Sequence, residues 1–257
     1  MNDWLTPVAR ALDRRVTPLE VFVRDDDAGW VDERLYALLD CCAARRWPID
    51  LAVIPAAVRQ RLAAELIGRI NGGAPIGLHQ HGFSHANHEV EGRPCEFGSW
   101  RSREVQQRDI TEGRMLLRRF FGSAIDPIFT PPWNRCAPFT WQCLLDAGLT
   151  AISRDRTAAP LVPEQLPECA IHVDWFARVK GTRLAPVEWG KRLALEISLA
   201  TAPLGLMLHH AAMDRDELAA FAALLELFTD KGVRGIFMRD VLARRKAVIP
   251  SRKAVSQ

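Results

Sequence analysis

Short β-type runs and amphipathic helical stretches alternate seven or eight times along this chain of 257 residues. No other feature constrains the fold as much. Alternation at this spacing specifies a parallel sheet with crossover helices. Strands are expected over residues 20–24, 49–54, 74–78, 125–129, 149–153, 170–173, 204–208 and 233–238. Helical periodicity fills the gaps: from Asp32 with Leu35, Leu38, Leu39 and Cys42, over 58–70 up to Gly72-Gly73, and over 103–121, 139–147 and 188–201. A last helix is capped by Asp214 or Asp216 and ended by Gly232.

The reactive residues fall where the strands end. Asp25, Asp26 and Asp27 follow the first strand, and His79, His81 and His85 follow the third. Pro131-Pro132-Trp133 follows the fourth, Asp174-Trp175 the sixth and His209-His210 the seventh. An open doubly wound sheet would also satisfy the alternation. In a (β/α) barrel, however, all these strand ends open on one face, where active sites sit. The expected architecture is therefore one α/β domain, a distorted (β/α)7-8 barrel over residues 20–243. A helical extension (1–19) precedes it and a flexible basic tail (244–257) follows. The polar, Gly- and Pro-containing stretch 86–101 reads as a lid or binding loop.

Composition removes several classes of function. With 34 basic and 31 acidic side chains the formal charge is +3, too balanced for a nucleic-acid-binding face. No apolar run approaches the roughly 18 residues of a membrane span. The six cysteines show neither a C-x-x-C pair nor a disulfide framework, and residues 1–15 lack the apolar core of a signal peptide. A cytoplasmic location is the expectation. Composition leaves the partner open to a small-molecule or oligosaccharide substrate, and it leaves the oligomeric state open too.

One Asp and two His make a good ligand set for a catalytic divalent metal with a position open to water. His81 and His85 are four residues apart, so one turn of chain brings both rings to the same side. His79, two residues before His81, shares its face in a continuing strand and competes as a ligand. Neighbours in an extended chain point opposite ways, so the three aspartates cannot all bind one ion. A spare carboxylate beside the metal suits a general base, and His209 or His210 could protonate a leaving group. Competing structural readings exist for each: a helix N-cap for the aspartates, hydrogen-bonded imidazoles for the histidines. Trp30, Trp133 and Trp175 fall beside these strand ends and could stack on a ligand or simply pack at the barrel mouth.

Residues 21–28, Val-Phe-Val-Arg-Asp-Asp-Asp-Ala, resemble the strand and Asp-Asp motif of the polysaccharide deacetylases, the NodB-homology group or carbohydrate esterase family 4. His81-Gly82-Phe83-Ser84-His85 resembles that family's His-x-x-Ser-His motif. Pro131-Pro132-Trp133, Asp174-Trp175 and Leu206-Met207-Leu208-His209 resemble its third, fourth and fifth motifs, in the family's order. The resemblance implies metal-dependent removal of an acetyl group, amide or ester, from a sugar, with zinc the foremost metal. It implies Asp27, His81 and His85 as metal ligands, Asp26 as the base that activates water and His209 as the acid. Trp30, Pro132, Trp133, Asp174 and Trp175 would contact substrate.

The chain departs from the pattern in three places. A third Asp and an Ala replace the usual Asp-Asp-Gly, so Asp25 could be the base with Asp26 the ligand. The arginine of the third motif is missing: Thr130 or Pro131 stands there, and Arg24 or Arg154 could supply its charge. His79 and His210 are additional. These departures leave two further readings: hydrolysis of a non-sugar linear or cyclic amide, and a sugar-binding relative without catalysis.

Overall fold

The molecule is described from a computed structural model that covers residues 3–159, 161, 166–179 and 181–248. Glu20–Ala28 forms β1, Ile49–Val53 β2, Ile76–His81 β3, Ile125–Thr130 β4 and Ala151–Asp155 β5. Glu168–Ile171 is β6, Val173–Asp174 β7, and Leu204–Leu208 β10; Arg178–Val179 and Thr182–Arg183 (β8 and β9) make a small antiparallel hairpin. The main path runs β6-β5-β4-β3-β2-β1-β10-β7, and every pair in it is parallel.

The ends of that path meet. β6 and β7 are successive pieces of one segment with only His172 between them, yet β6 pairs with β5 and β7 with β10. The eight strands thus form a nearly closed barrel. At the seam the His172 N–H donates to the Gly205 carbonyl (2.8 Å), and the Gly205 N–H donates back to His172 Nδ1 (3.0 Å). Gly205 is needed there: a Cβ would strike the Phe22 ring and the Ala170 carbonyl oxygen.

Helices Asp32–Ala44 (α2), Gln60–Asn71 (α3), Arg103–Phe121 (α4), Thr140–Asp146 (α5), Pro186–Leu199 (α6) and Arg215–Asp230 (α7) bridge successive strands. The expected positions are close throughout, and α4 and β10 match them. Asp214 caps α7 in a reciprocal capping box with Glu217. The main core lies between strands and helices, with Leu35, Leu38, Leu51, Leu66, Leu117, Leu193 and Phe221 nearly inaccessible. A second cluster joins Phe22, Ile128, Ile171 and Met207 to Met238, Val241 and Leu242 of α8 (Met238–Val248), which closes the end where the strands begin.

Several elements differ from the sequence expectation: β1, for one, runs on through Asp25–Asp27 to Ala28 rather than ending at residue 24. β3 runs to His81 rather than stopping at residue 78, because His79, Gln80 and His81 all find hydrogen-bond partners inside the protein. The eighth strand shrinks to Arg234–Gly235 (β11), paired with the start of β1, and α8 follows. That helix carries the start of the basic tail; residues 249–257 lie outside the described residues. The stretch 86–101 has no helix or strand, but Cys95, Glu96 and Phe97 are buried and Phe97 packs edge-on against Phe129. No helix among the described residues is long and apolar enough to cross a membrane.

Thr6–Asp13 (α1) docks on α6, and Trp4 just before it packs against Trp175 and Trp189. Gly190 permits this contact, since a Cβ there would overlap the carbonyl of Trp4, a backbone atom that cannot swing aside. Overpacking of this kind costs about 1–3 kcal/mol. Gly190→Ala should lower the urea midpoint accordingly, and an unchanged midpoint would show that the docking is not tight.

Candidate metal centre and active site

The long first strand keeps four charged residues in a row inside the protein: Arg24, Asp25, Asp26 and Asp27 are all buried. Arg24 and Asp26 point the same way, as residues two apart in a strand must. Arg24 grips Asp26 with two parallel bonds, Nε to Oδ1 at 2.8 Å and Nη2 to Oδ2 at 2.9 Å. Its other donors reach the Ser153 hydroxyl (2.8 Å) and Asn134 Oδ1 (2.8 Å). Burial works to raise the Asp26 pKa, but Arg24, with His81 and His209, holds it below the ordinary carboxylate value. Of the two arginines offered for that charge, Arg24 is the one that reaches Asp26. Arg154 is engaged elsewhere, in a bidentate pair with Glu168 at 2.9 Å.

Asp25 faces the other way and is taken by His210. Its oxygens accept from the His210 N–H (2.8 Å) and from Nδ1 (2.6 Å), while His210 Nε2 lies 2.7 Å from the Trp30 carbonyl. Carboxylate and carbonyl oxygens only accept, so both ring nitrogens donate and the imidazole is charged. Burial alone would lower its pKa; the charge and hydrogen bond of Asp25 raise it to about 9.

Asp27 breaks the alternation. The β1–β2 register slips between Asp25 and Ala28, and Asp27 takes a left-handed φ of 71°. A bulge of this kind re-aims a side chain. Asp27 Oδ1 then stands 3.3 Å from His81 Nε2 and 3.2 Å from His85 Nε2. One ligand atom from each of the three lies within 4.8 Å of the others, the only such His/Cys/Asp/Glu group among the described residues.

The donor chemistry fits a cation. His81 Nδ1 lies 3.0 Å from the Thr130 carbonyl, which can only accept, so the neutral ring carries its proton on Nδ1 and offers a lone pair from Nε2. That lone pair faces Asp27 Oδ1, which is buried and receives no hydrogen bond. Two facing acceptors are stable only with positive charge between them. Burial pulls the His81 pKa down, yet Asp27 and Asp26 reverse the shift, a measure of the same demand. His85 is lowered, mainly by burial, which keeps it neutral for ligation.

The remaining candidates divide. His209 Nε2 is 4.0 Å from Asp26 Oδ2, and its ring meets Phe176 edge-on at 5.7 Å. Trp30 and Trp133 flank the His85 ring, with centroids at 4.8 and 4.4 Å, and Trp30 is 39% exposed. Pro132 is buried beneath Gly82. Asp174 accepts from the Phe176 N–H (2.8 Å); burial raises its pKa although His209 opposes the shift. Trp175 sits apart, buried among Trp4, Trp189 and Phe221, so little of its ring is left for a ligand. His79 is also outside the three-ligand group: it bonds Thr130 Oγ1 at 2.9 Å, and burial pushes its pKa down to about 3.

Three supporting residues were not foreseen. Glu96, in the stretch read as a lid, accepts from the Phe83 N–H (3.2 Å), the Ser84 N–H (2.7 Å) and the Ser84 hydroxyl (3.0 Å). It thereby fixes the turn between His81 and His85. Gly82 is required in that turn, with φ 54° and no room for a Cβ against Glu96 and Pro132. Asn134 accepts from Arg24 and from the Asp155 N–H, and the Ser153 hydroxyl donates a hydrogen bond to the Cys169 carbonyl. Glu96 and Ser153 carry no local sequence signal; Asn134 adjoins the third motif.

The His210 pair has a pH signature. Its pKa is raised on folding, so its contribution is complete below about 6.5 and fades as pH rises through about 9. Wild-type stability relative to His210→Gln should fall over that window, by up to about 3 kcal/mol. Parallel pH curves for the two proteins would contradict the assignment.

No family model and no curated protein sequence matches this chain. Solved structures do. A protein from Mycobacterium smegmatis assigned as a polysaccharide deacetylase superposes with TM-score 0.67 at 14% identity, covering 95% of this chain and 96% of that one. A family 4 acetyl xylan esterase from Clostridium thermocellum, solved with a cobalt ion, gives 0.56 at 14% identity over 88% and 91%. A carbohydrate esterase family 4 pseudoenzyme from Bacillus anthracis gives 0.54 at 11% identity over 89% and 66%. With the barrel and its strand-end residues in place, the chain has the fold of the polysaccharide deacetylases and family 4 carbohydrate esterases.

Proposed function

We propose that this protein is a metal-dependent deacetylase that hydrolyses an acetyl group on a sugar-containing substrate. The observation that carries the reading is the unbonded Asp27 Oδ1 facing two imidazole nitrogens, with the Arg24-held Asp26 beside them. Asp27, His81 and His85 would hold the ion, and their N/O donor set without thiolate suits zinc. Such an ion lowers the pKa of water and polarises a carbonyl.

The chain's own groups supply the rest. Asp26, kept ionised and fixed in rotamer by Arg24, accepts the proton of the attacking water as its oxygen bonds the acetyl carbon. His209, across the mouth, gives a proton to the departing nitrogen or oxygen as the acyl bond breaks. The exposed face of Trp30, and Trp133 beyond His85, offer a sugar an aromatic surface. Since the fold is shared with a pseudoenzyme, these groups rather than the barrel support catalysis.

Acetate release from N-acetylglucosamine oligosaccharides should require metal and be abolished by chelation. Asp26→Asn should lower kcat at least a hundredfold with metal content intact, whereas His81→Ala should lose both. Arg24→Gln should also lose most activity, because it frees the base. Turnover that survives chelation and Asp26→Asn would overturn the reading, and turnover of cyclic amides in place of acetylated sugars would redirect it.

A further inference from the structure

At the opposite end of the barrel, where the strands begin, a cavity of about 460 Å³ lies between the end of α4 and the start of β4. It is lined by Arg114, Arg118, Gly122, Ser123, Ile125 and Pro127. Arg114 and Arg118 are four apart on one helix face, where like charges repel. Arg114 is only 9% exposed, and its Nε is buried with no hydrogen-bond partner.

Neither arginine forms an ion pair with any described residue. The nearby acids are used elsewhere: Asp126 pairs with Arg239 (3.2 Å) and Asp146 with Arg103 (2.9 Å). Burial, and then the charge of Arg118, push the Arg114 pKa down, and no carboxylate opposes them. A buried guanidinium Nε–H without an acceptor is costly, and a fork of N–H donors matches a phosphoryl group. Ser123 also lines the cavity.

We propose that this cavity binds a phosphoryl group, gripped by Arg114 and Arg118 and independent of the metal centre. The group could belong to a soluble phosphate or a phospholipid headgroup, and both share this recognition chemistry.

Titration of the full chain with phosphate and pyrophosphate, in chloride buffer of matched ionic strength, should give saturable heats and a rise in Tm. Arg114→Met should weaken binding at least tenfold and raise Tm in phosphate-free buffer, because it removes a buried donor that lacks an acceptor. Arg118→Gln, on an exposed position, should weaken binding severalfold and keeps the test open if the first variant misfolds. Flotation with phosphatidylglycerol vesicles separates the sources: Arg118-dependent capture without soluble binding assigns the group to a lipid. Binding of neither probe above the chloride control, or equal binding by all variants, overturns the proposal.

Discussion

The buried pair of Arg24 and Asp26 is the interaction on which the rest of the interior is arranged. A guanidinium and a carboxylate inside a barrel are tolerable only when every donor is matched, and stripping one partner from such a pair costs about 3–5 kcal/mol. Here the matching is spread around the barrel. Asp26 is on the same strand, Ser153 comes from β5, and Asn134 from the turn after β4. One side chain thereby ties three parts of the wall together. It also gives Asp26 one orientation and holds its carboxyl ionised, as the base of the proposed reaction needs.

Around that pair the backbone is strained. Of the six non-glycine residues with left-handed φ among the described residues, Asp27, His85, Trp133 and Asn134 line the site. Each such residue costs about 1–3 kcal/mol and persists only where its surroundings impose it. The imposing contacts are identifiable: the bulge in β1, the Glu96 carboxylate under the histidine turn, and the Gln80 amide bonded to the Gly82 and Ile110 carbonyls. Backbone strain is concentrated at the proposed ligands and offset by the contacts that support them.

Much of the fold was legible because periodicity is local. The helices and most strands lay where apolar spacing put them, and the coincidence of reactive residues with strand ends pointed to a barrel. Strand ends were less legible where charges are buried: β1 and β3 run on through Asp25–Asp27 and His79–His81, since tertiary partners satisfy what composition reads as loop. The division of labour among the three aspartates depended on a register slip that no single residue announces. Glu96 lay in a polar stretch of exposed appearance, and its burial follows from Phe97 anchoring beside it. Trp175 shows the converse, an aromatic at a strand end that the N-terminal helix covers.

The position of Arg24 has an evolutionary consequence. In the related motif the positive group rides on the turn after the fourth strand; here it is encoded two residues from its partner, within a single rigid strand. Asp26 and its counter-charge are thus encoded side by side. The turns around the rim, apart from Asn134, are released from that duty and free to diversify, so selection can reshape what enters the mouth without dismantling the reactive pair.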